Sequence, residues 1–178
     1  MRFQGTGPDG GLAPHAVGCT LRAAEIPMSA IQLFAAYAAA FEKAYATDDW
    51  SVVEPFFTED AVYDAGLPGL LAGRIEGRDA ILAYFRDVLD RFDRRFASRR
   101  VELVEGPRQD GDTVWLRGRA IYTAEGAPEL AFELEETARF SGDRIRFLAD
   151  VYDPAEKERL ARYVRRHGAR LGLGVLEA

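Results

Sequence analysis

The stretch GDRIRFLADVYDP, Gly142 to Pro154, holds the reading on which the fold turns. Gly142-Asp143 is a tight-turn pair, and Arg144 to Tyr152 alternates polar and apolar residues as a strand does. Asp153-Pro154-Ala-Glu156 then opens a helix, with Pro154 at the favoured first position. Working backwards, the period of two continues through Leu130 to Phe140, Val114 to Tyr122 and Val101 to Glu105. Gly126-Ala127-Pro128, Asp110-Gly111 and Gly106-Pro107 punctuate these strands, and turns so short imply an antiparallel meander.

Further back the period becomes that of helices. Ser29-Ala-Ile-Gln32 has capping-box spacing, and Ile31, Phe34, Ala38, Phe41 and Tyr45 form an apolar stripe reaching about Thr47. A short helix is expected near Trp50 to Phe57, a short strand from Ala61 to Asp64, and a glycine-rich loop with a small hairpin from Ala65 to Gly77. A third helix follows from about Asp79 to Phe92, with Ile81, Phe85 and Leu89 on its apolar face. Helices first and strands afterwards, without alternation, predict an α+β fold with helices packed on one face of a curved sheet.

The chain's 178 residues make one domain, and 48% hydrophobic residues supply its core. Residues 1–27, rich in glycine and proline and without periodicity, are expected to be a disordered or non-native extension. The folded domain is expected over 28–157, with a C-terminal helix and tail over 158–178. A net charge of -6 lacks the basic footprint that nucleic acid or an anionic membrane needs, and no apolar run approaches a membrane span. Arg94, Arg95, Arg99 and Arg100, set among Asp90, Asp93 and Glu102, read as a solvated helix end. Cys19 is alone and the histidines are only His15 and His167, so no metal site and no disulfide is expected. With no secretory pattern, the expected location is cytoplasmic.

Two segments carry a resemblance. FFTEDAVYDAGLP with GRDAI (Phe56 to Pro68, then Gly77 to Ile81) resembles the helix-strand-loop-helix opening of SnoaL-like proteins of the nuclear-transport-factor-2-like superfamily, and GDRIRFLADVYDP resembles their closing strand. Over about residues 30 to 157, the resemblance implies a cone-shaped antiparallel sheet enclosing one pocket, and pairing of two copies through the sheet. It implies no single function, because the superfamily includes isomerases, cyclases, dehydratases, epoxide hydrolases and proteins without catalysis. Against limonene epoxide hydrolase, Tyr63 matches the tyrosine that holds water, Asp150 the last-strand aspartate and Arg117 the arginine. Ala65 stands in place of that family's asparagine and Arg119 in place of its second aspartate. A ketosteroid isomerase base would also fall near Ala65, with Asp64 adjacent.

Residue by residue, alternatives stay open. In the last strand Ile145, Phe147, Ala149 and Val151 form the apolar set, so strict alternation puts Asp150 in water, whereas the resemblance puts it in the pocket. Arg117 and Arg119 are either anchors inside the cone or an exposed charge ladder with Glu133 and Glu135. Glu136 interrupts the apolar set of Phe132, Leu134, Ala138 and Phe140, so it is either buried with a partner, Arg117 or Arg119, or placed at the sheet rim where it reaches solvent. The first functional expectation is a cofactor-independent enzyme acting on a small, largely apolar molecule with one polar group. Asp150 would be its acid or base, Tyr63 its donor, Arg117 and Arg119 its electrostatic partners, and Glu136 a further ligand contact. Phe34, Phe41, Phe85, Phe132, Leu134 and Leu148 would form its wall. The second is a non-catalytic ligand-binding or dimerisation module with the same fold.

Overall fold

A computed structural model describes residues 28–67, 69–71 and 73–173. The expectation for residues 1–27 lies outside the described residues. Helix α1, Ala30–Thr47, begins at the capping box read from the sequence. The Ser29 hydroxyl accepts from the Gln32 amide at 3.3 Å, and the Gln32 side chain accepts from the Ser29 amide at 2.9 Å. Helix α2 spans Arg78–Arg91 and helix α3 spans Pro154–Leu171, the latter capped by the Asp153 carboxylate on the Ala155 amide. The short helix expected near Trp50 is instead a pair of 3-10 turns, Trp50–Val52 and Glu54–Phe56, because Pro55 denies the second turn an amide donor.

Six strands follow: β1 Phe57–Ala65, β2 Gly73–Glu76, β3 Ser98–Asp110, β4 Thr113–Ala124, β5 Ala127–Ser141 and β6 Arg144–Val151. They form one sheet in the order β2-β1-β6-β5-β4-β3. The last four strands are the expected antiparallel meander, and β1 lies parallel to β6, which brings the first strand beside the last. The strand expected from Ala61 begins earlier, at Phe57, so Glu59 and Asp60 lie within β1.

The hydrophobic interior has two parts. Phe34, Tyr37, Trp50, Phe57 and Phe85 join α1 and α2 to the sheet, while Phe92, Phe96, Tyr122, Leu130 and Leu160 pack beneath α3. Edge-to-face aromatic pairs such as Tyr37–Phe57 at 5.5 Å and Phe41–Phe85 at 5.4 Å hold the first part rigid. A cavity opens between the two parts.

One irregularity in β6 decides what faces that cavity. Arg139 of β5 pairs with Phe147, but its neighbour Phe140 pairs with Ile145, so Arg146 is an extra residue without a partner on β5. Such a bulge reverses the facing of every later side chain relative to the earlier ones. Ile145 is therefore buried on the helix-covered face, and so are Leu148 and Tyr152, whereas Phe147 turns outward beneath the Arg139 guanidinium, 4.4 Å away.

Candidate functional site

The cavity measures about 590 Å³ and is lined by both parts of the core. Val101 and Leu103 of β3, 51% and 58% exposed, belong to that lining. All six expected wall residues, Phe34, Phe41, Phe85, Phe132, Leu134 and Leu148, border it.

Its polar centre sits on the sheet. Downstream of the bulge, Asp150 faces inward and is the direct cross-strand partner of Glu136 on β5. Asp150 also pairs with Ala65 of β1, two residues beyond Tyr63 and on the same face, and the Tyr63 hydroxyl donates to the Asp150 carboxylate at 2.6 Å. Tyr63 is itself buried and wedged between the rings of Tyr84 and Phe85, at 5.5 and 5.2 Å. Packing therefore fixes its hydroxyl before any ligand arrives. The acid pair is half-buried because its remaining exposure opens onto the cavity.

Electrostatics follow from that placement. Burial pushes Asp150 up to about 6, against the lowering effect of the Tyr63 hydrogen bond. Burial and the neighbouring Asp150 charge push Glu136 well above the ordinary carboxylate range. Two carboxyls so placed titrate as a unit, and the charge on one makes the other harder to ionise. Tyr37 of α1 faces the same pair, which with burial raises its own phenol.

A second polar cluster borders the cavity. The Arg99 guanidinium donates to Glu42 at 2.8 Å, approaches Asp93 at 3.3 Å and lies over the Tyr45 ring at 4.8 Å. Asp93 is buried and accepts from the Tyr122 hydroxyl at 2.8 Å. Arg99 and Asp93 thus depart from the solvated helix end expected of them, since β3 begins at Ser98 and points Arg99 inward. Arg94, Arg95 and Arg100 are exposed as expected.

Arg117 and Arg119 lie on the opposite face of the sheet from the cavity. On β4, Leu116, Gly118 and Tyr122 line the interior, so the alternate residues Arg117 and Arg119 must face out. Arg117 pairs with Glu105 at 3.1 Å and approaches Glu133 at 3.8 Å, while Arg119 pairs with Glu133. This is the charge-ladder alternative, with Glu105 in the place expected of Glu135. The partners expected for the buried acids are accordingly different: Asp150 has Tyr63 and Glu136 has Asp150.

Compared with known families, residues 37–166 match the SnoaL-like domain. The chain belongs to the SnoaL-like domain family. No curated protein matches this SnoaL-like chain by sequence. Among solved structures, Bal32a from a soil-derived mobile gene cassette is 17% identical, with a TM-score of 0.56 over 71% of this chain and 93% of that one. A protein of unknown function from Burkholderia pseudomallei, described as NTF2-like, is 22% identical, with a TM-score of 0.56 over 75% and 98%. TerC, co-crystallised with polyporic acid, is 14% identical, with a TM-score of 0.52 over 69% and 92%. At these identities the likeness is one of fold.

Sequence reasoning had missed several members of this SnoaL-like cavity. Tyr37 stands three residues after Phe34 and four before Phe41, which is the spacing of the apolar stripe itself. Tyr84 follows the same logic beside Phe85, and its hydroxyl donates to the Leu71 carbonyl. Asp93 and Arg99 gave no such signal, because charged residues next to other charges read as surface.

Proposed function

We propose that this SnoaL-like chain is a proton-transfer enzyme whose acid–base unit is the Glu136–Asp150 pair. The observation that carries the reading is the opposition of two carboxyls on neighbouring strands, inside an apolar cavity, with one tyrosine hydroxyl on one of them. Environments that push two acids apart in proton affinity assign their roles. Asp150, whose charge the Tyr63 hydroxyl stabilises, is the base. Glu136, which holds the proton, is the acid.

On a small, mostly apolar carbonyl compound, Asp150 takes a proton from the carbon next to the carbonyl. The Glu136 proton passes to the carbonyl oxygen as the enol forms. Where a C=C bond lies one carbon further along, the enol is a dienol. Asp150 returns its proton to the far carbon of that bond, the enol O–H proton goes back to Glu136, and the pair ends with the one proton it began with. Phe34, Phe41, Phe85, Phe132, Leu134 and Leu148 hold the apolar body and keep water from the reacting atoms. TerC, crystallised with polyporic acid, is consistent with small-molecule binding in a fold of this kind. The reading also keeps two copies joined through the outer sheet face, where Val151 is 55% exposed; light scattering on the purified protein measures that mass.

The experiment is a thermal-shift screen of ketone-bearing terpenoid, steroid and aromatic polyketide compounds, followed by NMR of stabilising ligands in D2O. The wild type should wash deuterium into the position next to the carbonyl, and Asp150→Asn should slow that exchange by about 10²- to 10⁴-fold. Binding without exchange, or equal exchange by both proteins, would replace this reading with that of a ligand-binding module.

A further inference from the structure

The charged residues that border the cavity do not balance, and the imbalance sits at one place. Arg99 is held by Glu42 and Asp93, and Arg100 by Glu102 at 3.0 Å. The remaining lining acids are Glu136 and Asp150, and among the described residues neither forms an ion pair. The same cavity is lined by the aromatic rings of Tyr37, Phe41, Tyr63, Tyr84, Phe85 and Tyr152, a side-chain class that attracts cations. Carboxylate charge without a cation, walled by aromatic rings, is complementary to one kind of guest.

We propose that the cavity selects a small organic cation, a protonated or quaternary amine on an apolar body, with the nitrogen seated against Glu136 and Asp150. The proposal rests on the reading that this acid pair faces the ligand. A cation seated on the pair takes the place of the proton that Glu136 would pass to a carbonyl, so such a guest is held without being isomerised. A neutral molecule of the same shape gains only burial of its body, whereas the cation also offsets a charge that the fold leaves uncompensated. An anion meets repulsion from the pair and loses its hydration in return for nothing.

Binding of a cation should also strip the proton that the pair shares, since a positive neighbour favours the ionised carboxyls. The groups that face the pair are the Tyr37 hydroxyl from α1, Tyr63 from β1, Tyr84 from α2, Tyr152 after β6, and the more distant Arg99 from β3. The tyrosines are all held far into their protonated forms and Arg99 in its charged form. Asp93, raised by burial, is already engaged by Arg99 and Tyr122, so proton release that disappears in Glu136→Gln and Asp150→Asn reports the pair.

The test is a charge series on one body: tryptamine, tryptophol and indole-3-acetate, titrated calorimetrically into the wild type, Glu136→Gln and Asp150→Asn. Tryptamine should bind the wild type about tenfold or more tightly than tryptophol, and indole-3-acetate should bind weakest. In either variant tryptamine should fall towards tryptophol, while tryptophol itself changes little. Should a variant fail to fold, the wild type supplies a second measurement. In two buffers of different ionisation enthalpy at pH 6, tryptamine should release protons and tryptophol should not. Equal binding of tryptamine and tryptophol, tighter binding of the anion, no binding by any of the three, or no proton release would each overturn the proposal. Deuterium exchange into a neutral ketone, if still dependent on Asp150, would leave the proton-transfer reading standing after such a result.

Discussion

Glu136 and Asp150 are cross-strand partners on β5 and β6, and among the described residues the only hydrogen bond to either carboxyl is the one that Tyr63 gives Asp150. Both acids are more easily protonated in the folded chain than in the unfolded one. Their contribution to stability is therefore full below about pH 4 and is lost as the pH rises through about 6 for Asp150 and through the raised titration of Glu136.

Glu136→Gln keeps the shape of the side chain and removes its charge. We expect the variant to exceed the wild type in stability by about 1 to 3 kcal/mol at pH 8, and to lose that advantage near pH 4. Urea unfolding at both pH values measures the two differences. An advantage of the same size at both would show that Glu136 does not titrate in this range.

Tyr63→Phe deletes a hydrogen bond that favours the ionised form of Asp150. Asp150 should then titrate at a pH above the wild-type value of about 6, while stability falls by only about 1 kcal/mol, because the ring packing survives. Carbon-13 NMR of labelled aspartate side chains follows the titration directly. An unchanged or lowered midpoint would show that the contact does not act on the charge.

Gly66 lies against the backbone of Asp150. A β-carbon built on it would sit 2.0 Å from the Asp150 carbonyl oxygen and 3.1 Å from its carbonyl carbon, and backbone cannot step aside as a flexible side chain does. Gly66→Ala should therefore cost about 2 kcal/mol or more and shift the amide resonances of β6 around Asp150. A variant with wild-type stability and an unmoved β6 spectrum would contradict the close approach.

Arg99→Ala leaves Asp93 buried without its cation, and the expected loss is about 3 to 5 kcal/mol. Arg94, exposed and paired with Asp48 at 2.9 Å, is the control, and Arg94→Ala should stay within about 1 kcal/mol of the wild type. Pairing Arg99→Ala with Asp93→Asn should recover part of the loss, since the second change removes the stranded charge. Equal effects of the two single arginine changes would place Arg99 in solvent.

The fold was legible because its signals are local. Ser29 with Gln32, Asp153 with Pro154 and the glycine turns between strands each mark a boundary with residues that are adjacent in sequence. Phe34, Phe41, Phe85, Phe132 and Leu134 were legible too, since a stripe on a helix or an apolar set on a strand names its inward members, whereas the alternation that put Asp150 in water put Leu148 there with it. The acid pair was half legible. Glu136 stood out as the one charge in an apolar set, but Asp150 looked solvent-facing because alternation was counted straight through Arg146. Arg117 and Arg119 were ambiguous for a related reason: on β4 both faces contain apolar residues, Trp115 and Ile121 on one side and Val114 and Leu116 on the other. Only the position of the helices tells which is inside. Asp93 and Arg99 were unreadable, because their partners Tyr122 and Glu42 are remote in sequence.

The unpaired Arg146 makes the interior of β6 a matter of counting. Were Arg146 drawn into regular pairing, Leu148 and Asp150 would turn to the exterior while Phe147, Ala149 and Val151 turned in. With Arg146 deleted, Ile145, Phe147 and Leu148 alternate in, out and in, and Asp150 keeps its place. Codon loss at Arg146 would therefore spare the reactive vessel, whereas loss of Ala149 would turn Asp150 to the outside. Point substitution has no equivalent move, since it changes one address at a time and leaves the numbering of all the others intact.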